Sequence, residues 1–346
     1  MSKYNFSTHL FRCSGLHHIM AGEIGLTEAQ EKELAEVEAR KKKDEELSAA
    51  QKKRKKDYEE KEKADTITEK QQETLDDIRE KEGKPIPLTE TMQKKYDGLI
   101  YKRDNPELTD GTKNYLAKLH REITKNRKKR LETKYIKKGL QFEEEAIDMY
   151  SMVKEEFFVN NKERIENEWL SGEYDIFTGK SIDEIEEGFD TKCSWDLFTF
   201  PYKRDKLNTV YYWQNMGYMF LSGAPRWTTV YCLIDTPKWE LENIKYREGF
   251  EWPYNEIPKW KLLEILNNNL YTEESFFKMM NEWDCAPDPS DQSEDNLKAA
   301  DIVNSFVPLS LEERIMEKVT ERDEAAIEEI KIRVAMSREF MVSLEE

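Results

Sequence analysis

EIEEGFDTKCSW, residues 184–195, decides the fold, because it reads as a strand and yet carries an acid and a lysine two positions apart. Side chains alternate faces along a strand, so Asp190 and Lys192 point the same way while Thr191 points away. If that face is buried, neither charge belongs there without a partner or a chemical task. The rest of the chain must say which.

Upstream, NEWLSGEYDIFTG (167–179) has the pattern of a second strand, with Thr178-Gly179-Lys180 as the turn between the two. SIDE (181–184) has the form of a capping box and predicts a short helical turn in that connection. KGLQFEEEAIDMYSMVKEE (138–156) repeats apolar residues at Leu140, Ala146, Ile147 and Tyr150, which makes a helix with one buried stripe. Downstream, LNTVYYWQNMGYMFLSG (207–223) is apolar on most sides and ends at Gly223, as a buried helix does. WTTVYCLIDTP (227–237) is β-branched and aromatic, a central strand closed by Pro237. The order helix, strand, strand, helix, strand gives an α/β (α+β) core with a small mixed sheet flanked by helices.

Around that core, assigned to 84–283, the sequence adds helical material. Residues 1–25 read as an ordered lead-in. Residues 26–83 form a charged arm: Leu26–Glu82 has no glycine or proline, and its apolar residues are sparse (Leu34, Val37, Leu47, Tyr58, Ile67, Leu75, Ile78). Sustained heptads are missing, so one or two long helices ended by Gly83 and Pro85 are expected, not a coiled coil. Further helices are predicted over 88–104 and 108–136, with Thr89 and Thr109 as N-caps. Beyond Pro237 come loops rich in Trp and Pro, helices near 258–270 and 273–284, a linker over 284–298, and an amphipathic helix or helical pair over 299–346.

Composition narrows the class. Hydrophobic content of 38% against 37% charged residues fits a soluble chain with a modest core. No run approaches the roughly 18 apolar residues of a membrane span, and the N-terminus lacks the order of a secretory signal. Four cysteines lie far apart, at 13, 193, 232 and 285, with no CxxC pair, so reduced thiols and a cytoplasmic location are expected. A net charge of −17 argues against unspecific nucleic-acid binding by the whole surface. It leaves room for local basic tracks. KNRKKRLETKYIKK (125–138) holds eight Lys or Arg and one acid, Glu132, and QKKRKKDYEEKEK (51–63) has a basic half answered by acids.

Placed on the scaffold, Asp175 sits in the first strand, Asp190 and Lys192 share a face of the second, and Glu143 lies one turn into the preceding helix. Gln214 and Tyr218, four apart, share one side of the following helix. Carboxylates converging at the end of a short sheet, with no His or Cys in the set, make an oxygen-ligand site for Mg²⁺ or Mn²⁺ rather than zinc. A lysine beside them can stabilise charge on a phosphate in flight or help position and deprotonate the attacking water. Singly, each piece has a bland reading: a chance DxK triplet, a turn-side acid, a solvated glutamate, a hydrogen-bonded core pair. Trp195 and Trp213 flank the set in sequence, as core or as stacking rings. The joint order raises the chemical reading.

Gly139-x-x-x-Glu143, Gly172-Glu-Tyr-Asp175, Asp190-Thr-Lys192 and Gln214-x-x-x-Tyr218 resemble the motifs of the PD-(D/E)XK nuclease superfamily, with its restriction-endonuclease-like core. More narrowly they are similar to the YqaJ-like and lambda-exonuclease-like phage recombination nucleases. The match covers about 135–237 well and the flanks loosely; the arm is not placed by it. The resemblance implies that Asp175 and Asp190 ligate two Mg²⁺ (or Mn²⁺) ions, with the Thr191 carbonyl and Glu143 completing the shell. It implies Lys192 as the catalytic lysine, with Gln214 positioning the lysine or the surroundings of the scissile phosphate and Tyr218 supporting Gln214. It also implies linear duplex DNA as substrate, a ring-shaped homo-oligomer, a single-strand annealing protein as partner, and a cytoplasmic setting, the host's if the protein is viral. Two departures stand out: Tyr174 replaces the motif proline, and Asp190 replaces the commoner, longer Glu. Two rival readings follow from the same residues. One is a nuclease-fold protein that binds or packages DNA without cutting it. The other is a scaffold protein built on the arm.

Overall fold

The computed structural model describes residues 4–41, 47–82, 88–129, 132–182, 184–252 and 256–345. They fall into two compact units: 22–110, and 1–21 joined with 111–346. The fold is mixed α/β. After a 3-10 turn over Phe6–Thr8 come β1 (Phe11–Arg12) and α1 (Leu16–Ile19), which belong to the larger unit.

The smaller unit is helical and longer than the predicted arm, because it takes in the helix expected at the start of the core. Its elements are α2 (Glu28–Lys41), α3 (Ala49–Lys63), α4 (Glu69–Lys81) and α5 (Glu90–Asp104). The stretch expected as one or two helices is three. Ser48 and Gln51 form a capping box that starts α3, and Asp65, in the left-handed region at φ 53°, ends the run before Thr68 caps α4. Gly83 and Pro85 lie outside the described residues. Few apolar side chains suffice because nearly all are used. Leu34, Val37, Leu47, Leu75, Ile78 and Leu99 are buried, and Arg79 adds a bidentate pair to Glu62 at 3.1 and 2.8 Å across α3 and α4.

The larger unit continues with α6 (Asp110–Thr124) and α7 (Lys134–Lys154). The single long helix expected over 108–136 is therefore broken. Asn126, at φ 48°, ends α6, and Thr133 caps a new helix by accepting from the Ile136 N–H. β2 (Ile165–Glu166) and β3 (Leu170–Gly172) make a small sheet with β1. The main sheet has the order β4 (Ile176–Ser181), β5 (Glu184–Ser194), β6 (Arg226–Leu233), β7 (Ile315–Glu321), with α8 (Thr209–Ser222) crossing between the parallel β5 and β6. β4 runs antiparallel to β5, and β7 antiparallel to β6. The α7–β4–β5–α8–β6 order is the core that the sequence predicts.

Several details differ. The strand expected at 167–179 is two strands interrupted at Glu173–Asp175. Ser181 and Glu184 are paired strand residues rather than ends of a helical turn; Asp183 lies outside the described residues. The region expected as loop after Pro237 contains α9 (Lys238–Gly249), and α10 (Lys259–Asn269), α11 (Glu273–Glu282) and α12 (Glu294–Ser305) follow. These pack around their own core of Leu263, Leu266, Phe276 and Cys285. The predicted linker is therefore short: Ser293 already caps α12. The C-terminal segment holds the strand β7 as well as α13 (Glu324–Ser343), and it belongs to the same unit as the core.

On one side of the main sheet, Ala146, Ile147 and Tyr150 of α7 pack against Ile176, Phe189, Val230 and Cys232. Elsewhere in the same unit, Tyr174 meets Trp227 and Tyr218 edge-on at 5.1 and 5.6 Å. Gly188 makes room for that cluster, since a Cβ there would come within 2.2 Å of the Trp227 ring. Among the described residues no helix is long and apolar enough to cross a membrane.

Candidate active site

The site forms where β4 stops pairing with β5. The last register pair is Ile176 with Phe189; one step further along that register Asp175 stands opposite Asp190. Past that point β5 pairs only with β6, so its outward N–H groups need other acceptors. The Asp175 carboxylate supplies one. Its Oδ2 accepts from the Thr191 N–H at 2.6 Å and from the Thr191 hydroxyl at 2.8 Å. The Asp175 carbonyl accepts from the Asn161 N–H at 2.6 Å, which fixes the acid in place.

Asp190 and Lys192 share a face, as alternation requires, and they form an ion pair through Asp190 Oδ2. Asp190 is 1% exposed. Its Oδ1 accepts from Gln214 Nε2 at 3.2 Å, and the same amide donates to the Tyr218 hydroxyl at 2.9 Å. Tyr218 in turn donates to the Glu173 carbonyl at 2.9 Å. A chain of hydrogen bonds thus runs from the β3–β4 junction through α8 to the acid on β5. Of the predicted set, Asp175, Asp190, Thr191, Lys192, Gln214 and Tyr218 come together. Thr191 joins through its N–H and hydroxyl, where the resemblance implied its carbonyl.

Glu143 stands at the margin. Its Oε1 accepts from Asn160 Nδ2 at 2.9 Å and lies 3.9 Å from Lys162 Nζ. Asn160 precedes Asn161, so Glu143 is tied to the segment that holds Asp175 without bonding to Asp175 itself. Glu143 is half-buried while Glu144 is exposed.

Burial, and then the charge of Asp190, push the Asp175 carboxyl up to about 7, against the opposing pull of Lys192 and the Thr191 donors. Burial works against the Lys192 ammonium, but Asp190 and Asp175 outweigh it and hold this group above the ordinary lysine value. Lys192 therefore stays charged at neutral pH, and the two acids are short of positive charge.

Sequence reasoning missed two neighbours. Tyr211 presents its ring 5.2 Å from Lys192 Nζ, and only its place one turn before Gln214 could have marked it. Lys138, counted in the basic track, is instead 1% exposed and donates to the Trp195 and Ile234 carbonyls at 2.9 and 2.7 Å. Burial lowers it to about 8. Lys134 remains on the surface over the Trp195 ring, 4.3 Å from its centroid.

Among the described residues no three His, Cys, Asp or Glu side chains gather as a ready metal cluster. The oxygens that meet are the carboxylates of two mutually repelling acids, Asp175 and Asp190, with the Thr191 hydroxyl beside them. Such a set fits a hard divalent cation, Mg²⁺ or Mn²⁺.

The fold and site together define a mixed α/β core with an acid–lysine constellation at the end of its four-stranded sheet. No family model matches the sequence, and no curated protein does. Among solved structures, the chain is similar to a phage related exonuclease from Haemophilus somnus 129PT, at 20% identity and TM-score 0.49, covering 97% of this chain and 95% of that one. It is also similar to an alkaline exonuclease from Laribacter hongkongensis, at 14% identity and TM-score 0.40, covering 68% of this chain and 83% of that one. A complex of that enzyme with dAMP gives the same figures.

Proposed function

We propose that the protein is a divalent-metal-dependent DNA nuclease, and more narrowly an exonuclease that resects linear duplex ends in phage recombination or genome processing. The observation that carries the reading is the opposition of Asp175 and Asp190 at the open end of β4 and β5, with the Lys192 ammonium on the second acid.

On this reading Asp175 and Asp190 hold the cations, with the Thr191 carbonyl and Glu143 as further donors. When bound, the cations supply Lewis-acid polarisation of the phosphate and a more acidic water. Water gives up a proton as it adds to phosphorus, the bond to the leaving sugar oxygen breaks, and that oxygen takes up a proton from solvent. Lys192, beside Asp190, offsets the charge that builds on the phosphate oxygens or helps position and deprotonate the attacking water. Gln214 holds Asp190, and Tyr218 holds Gln214, so the acid keeps one orientation through the cycle. The motif resemblance adds a ring-shaped homo-oligomer, a single-strand annealing protein as partner and a cytoplasmic setting.

The test is digestion of end-labelled linear DNA against closed circular DNA, with Mg²⁺ and with chelator. The expected result is metal-dependent loss of the linear substrate from its ends, with the circle spared. Equal degradation of the circle would remove the exonuclease assignment, and no cleavage of either would remove the nuclease reading.

A further inference from the structure

Between Lys192 and Gln214 the chain leaves β5 and returns as α8 through an irregular segment, and that segment is both braced and unusually exposed. Its base is locked by Asp196 and Thr199: the Asp196 N–H donates to Thr199 Oγ1 at 3.0 Å, and the Thr199 N–H to Asp196 Oδ1 at 2.8 Å. The Leu197 N–H donates to the Tyr271 hydroxyl at 3.0 Å. Farther along, Lys318 of β7, only 9% exposed, donates to the carbonyls of Tyr202, Lys203 and Asp205 at 2.6, 2.9 and 2.7 Å. One buried ammonium thus gathers three backbone carbonyls of a single turn.

What this support presents is apolar and basic. Phe198 is 86% exposed and Tyr202 68%. Lys203, Arg204 and Lys206 are exposed beside them, with the Arg204 guanidinium 5.5 Å from the Tyr202 ring centroid. The neighbouring acid, Asp205, accepts from the Tyr202 N–H at 2.8 Å. In a chain of net charge −17, a basic loop carrying bare rings is complementary to a polyanion with π-faces. Single-stranded nucleic acid has both, whereas a duplex hides its base faces in the stack.

We propose that the loop 196–206 grips single-stranded DNA beside the cleavage site, Phe198 and Tyr202 stacking on bases and Lys203, Arg204 and Lys206 taking the phosphates. The proposal rests on the nuclease reading and adds to it the strand form held next to the site. It is tested by anisotropy titration of a fluorescein-labelled oligo(dT), in chelator so that nothing is cut, on full-length protein. Phe198→Ala should weaken binding about tenfold, within the range of one base–ring stack, with an unchanged salt slope. Lys203→Ala with Arg204→Ala should lower the slope of log affinity against log salt by about 1.4, or about 0.7 per lost phosphate contact. Phe198→Trp should bind at least as well as the parent, and thermal midpoints should match throughout. Wild-type binding by both alanine variants overturns the proposal whether or not the protein cuts DNA. Weakened binding in a protein that cuts nothing in Mg²⁺ contradicts the nuclease reading alone and leaves the loop as a single-strand site.

Discussion

Asp175 is the group whose environment is most at odds with its charge. Its folded carboxyl titrates near 7 because of burial and Asp190, while in the unfolded chain it titrates near the ordinary Asp value of about 4. Between those values the metal-free native state binds more protons than the unfolded state, so this group's contribution to stability is lost as pH rises toward 7. The thermal midpoint in chelator should therefore fall across that window, Asp175→Asn should flatten the fall, and Mg²⁺ at pH 8 should restore the midpoint. A midpoint that rises through the window would contradict the assignment. Lys192→Ala should lower the rate of hydrolysis about 10²- to 10³-fold, as loss of a preorganised charge does, while Mg²⁺ still raises the melting temperature. Gln214→Ala leaves Asp190 Oδ1 and the Tyr218 hydroxyl each short of a partner. Chemical denaturation should register a loss of about 1–3 kcal/mol.

Elements differ in how openly the sequence declares them. β5 is legible because 184–195 reads as a strand, on which two charges on one face stand out at once. α8 is legible because its body is apolar and it ends at Gly223; the structure adds Asn208 as its N-cap. β7 is not, since its pattern is inverted. Lys318 and Thr320 face inward and Val319 is 57% exposed, the reverse of what a half-buried strand shows. Those inward polar groups are satisfied only by distant partners: the loop carbonyls for Lys318, and Asn215 for Thr320, at 3.0 Å. No local pattern could reveal either. The same limit hides the break that frees Asp175, because continuous strand propensity across 167–179 says nothing of where pairing ends. At this scale Gly188→Ala should cost about 1–3 kcal/mol or more, as overpacking against a ring does, because Trp227 is fully buried and has no room to retreat. A denaturation midpoint unchanged from the parent would argue against that packing.

At the scale of the molecule, the composition shift lies at residue 26, while the compact helical unit spans 22–110. α5 packs with α2 through buried Leu34, Val37 and Leu99 and a Lys102–Gln30 hydrogen bond at 2.7 Å. Such long-range pairing leaves no trace at a boundary. Every site residue lies in the larger unit, so a bound cation stabilises that unit alone. Unfolding followed by circular dichroism should resolve two transitions, and Mg²⁺ should move only one. A cation that shifts both together would place the helical unit in the binding equilibrium.

The central claim, that Asp175 and Asp190 jointly hold divalent cations, is tested most directly by Mn²⁺ binding followed through its free-ion electron paramagnetic resonance signal. The parent and Lys192→Ala should deplete free Mn²⁺, while Asp175→Asn combined with Asp190→Asn should leave it in solution. Undiminished uptake by the double variant, or none by the parent, would contradict the account.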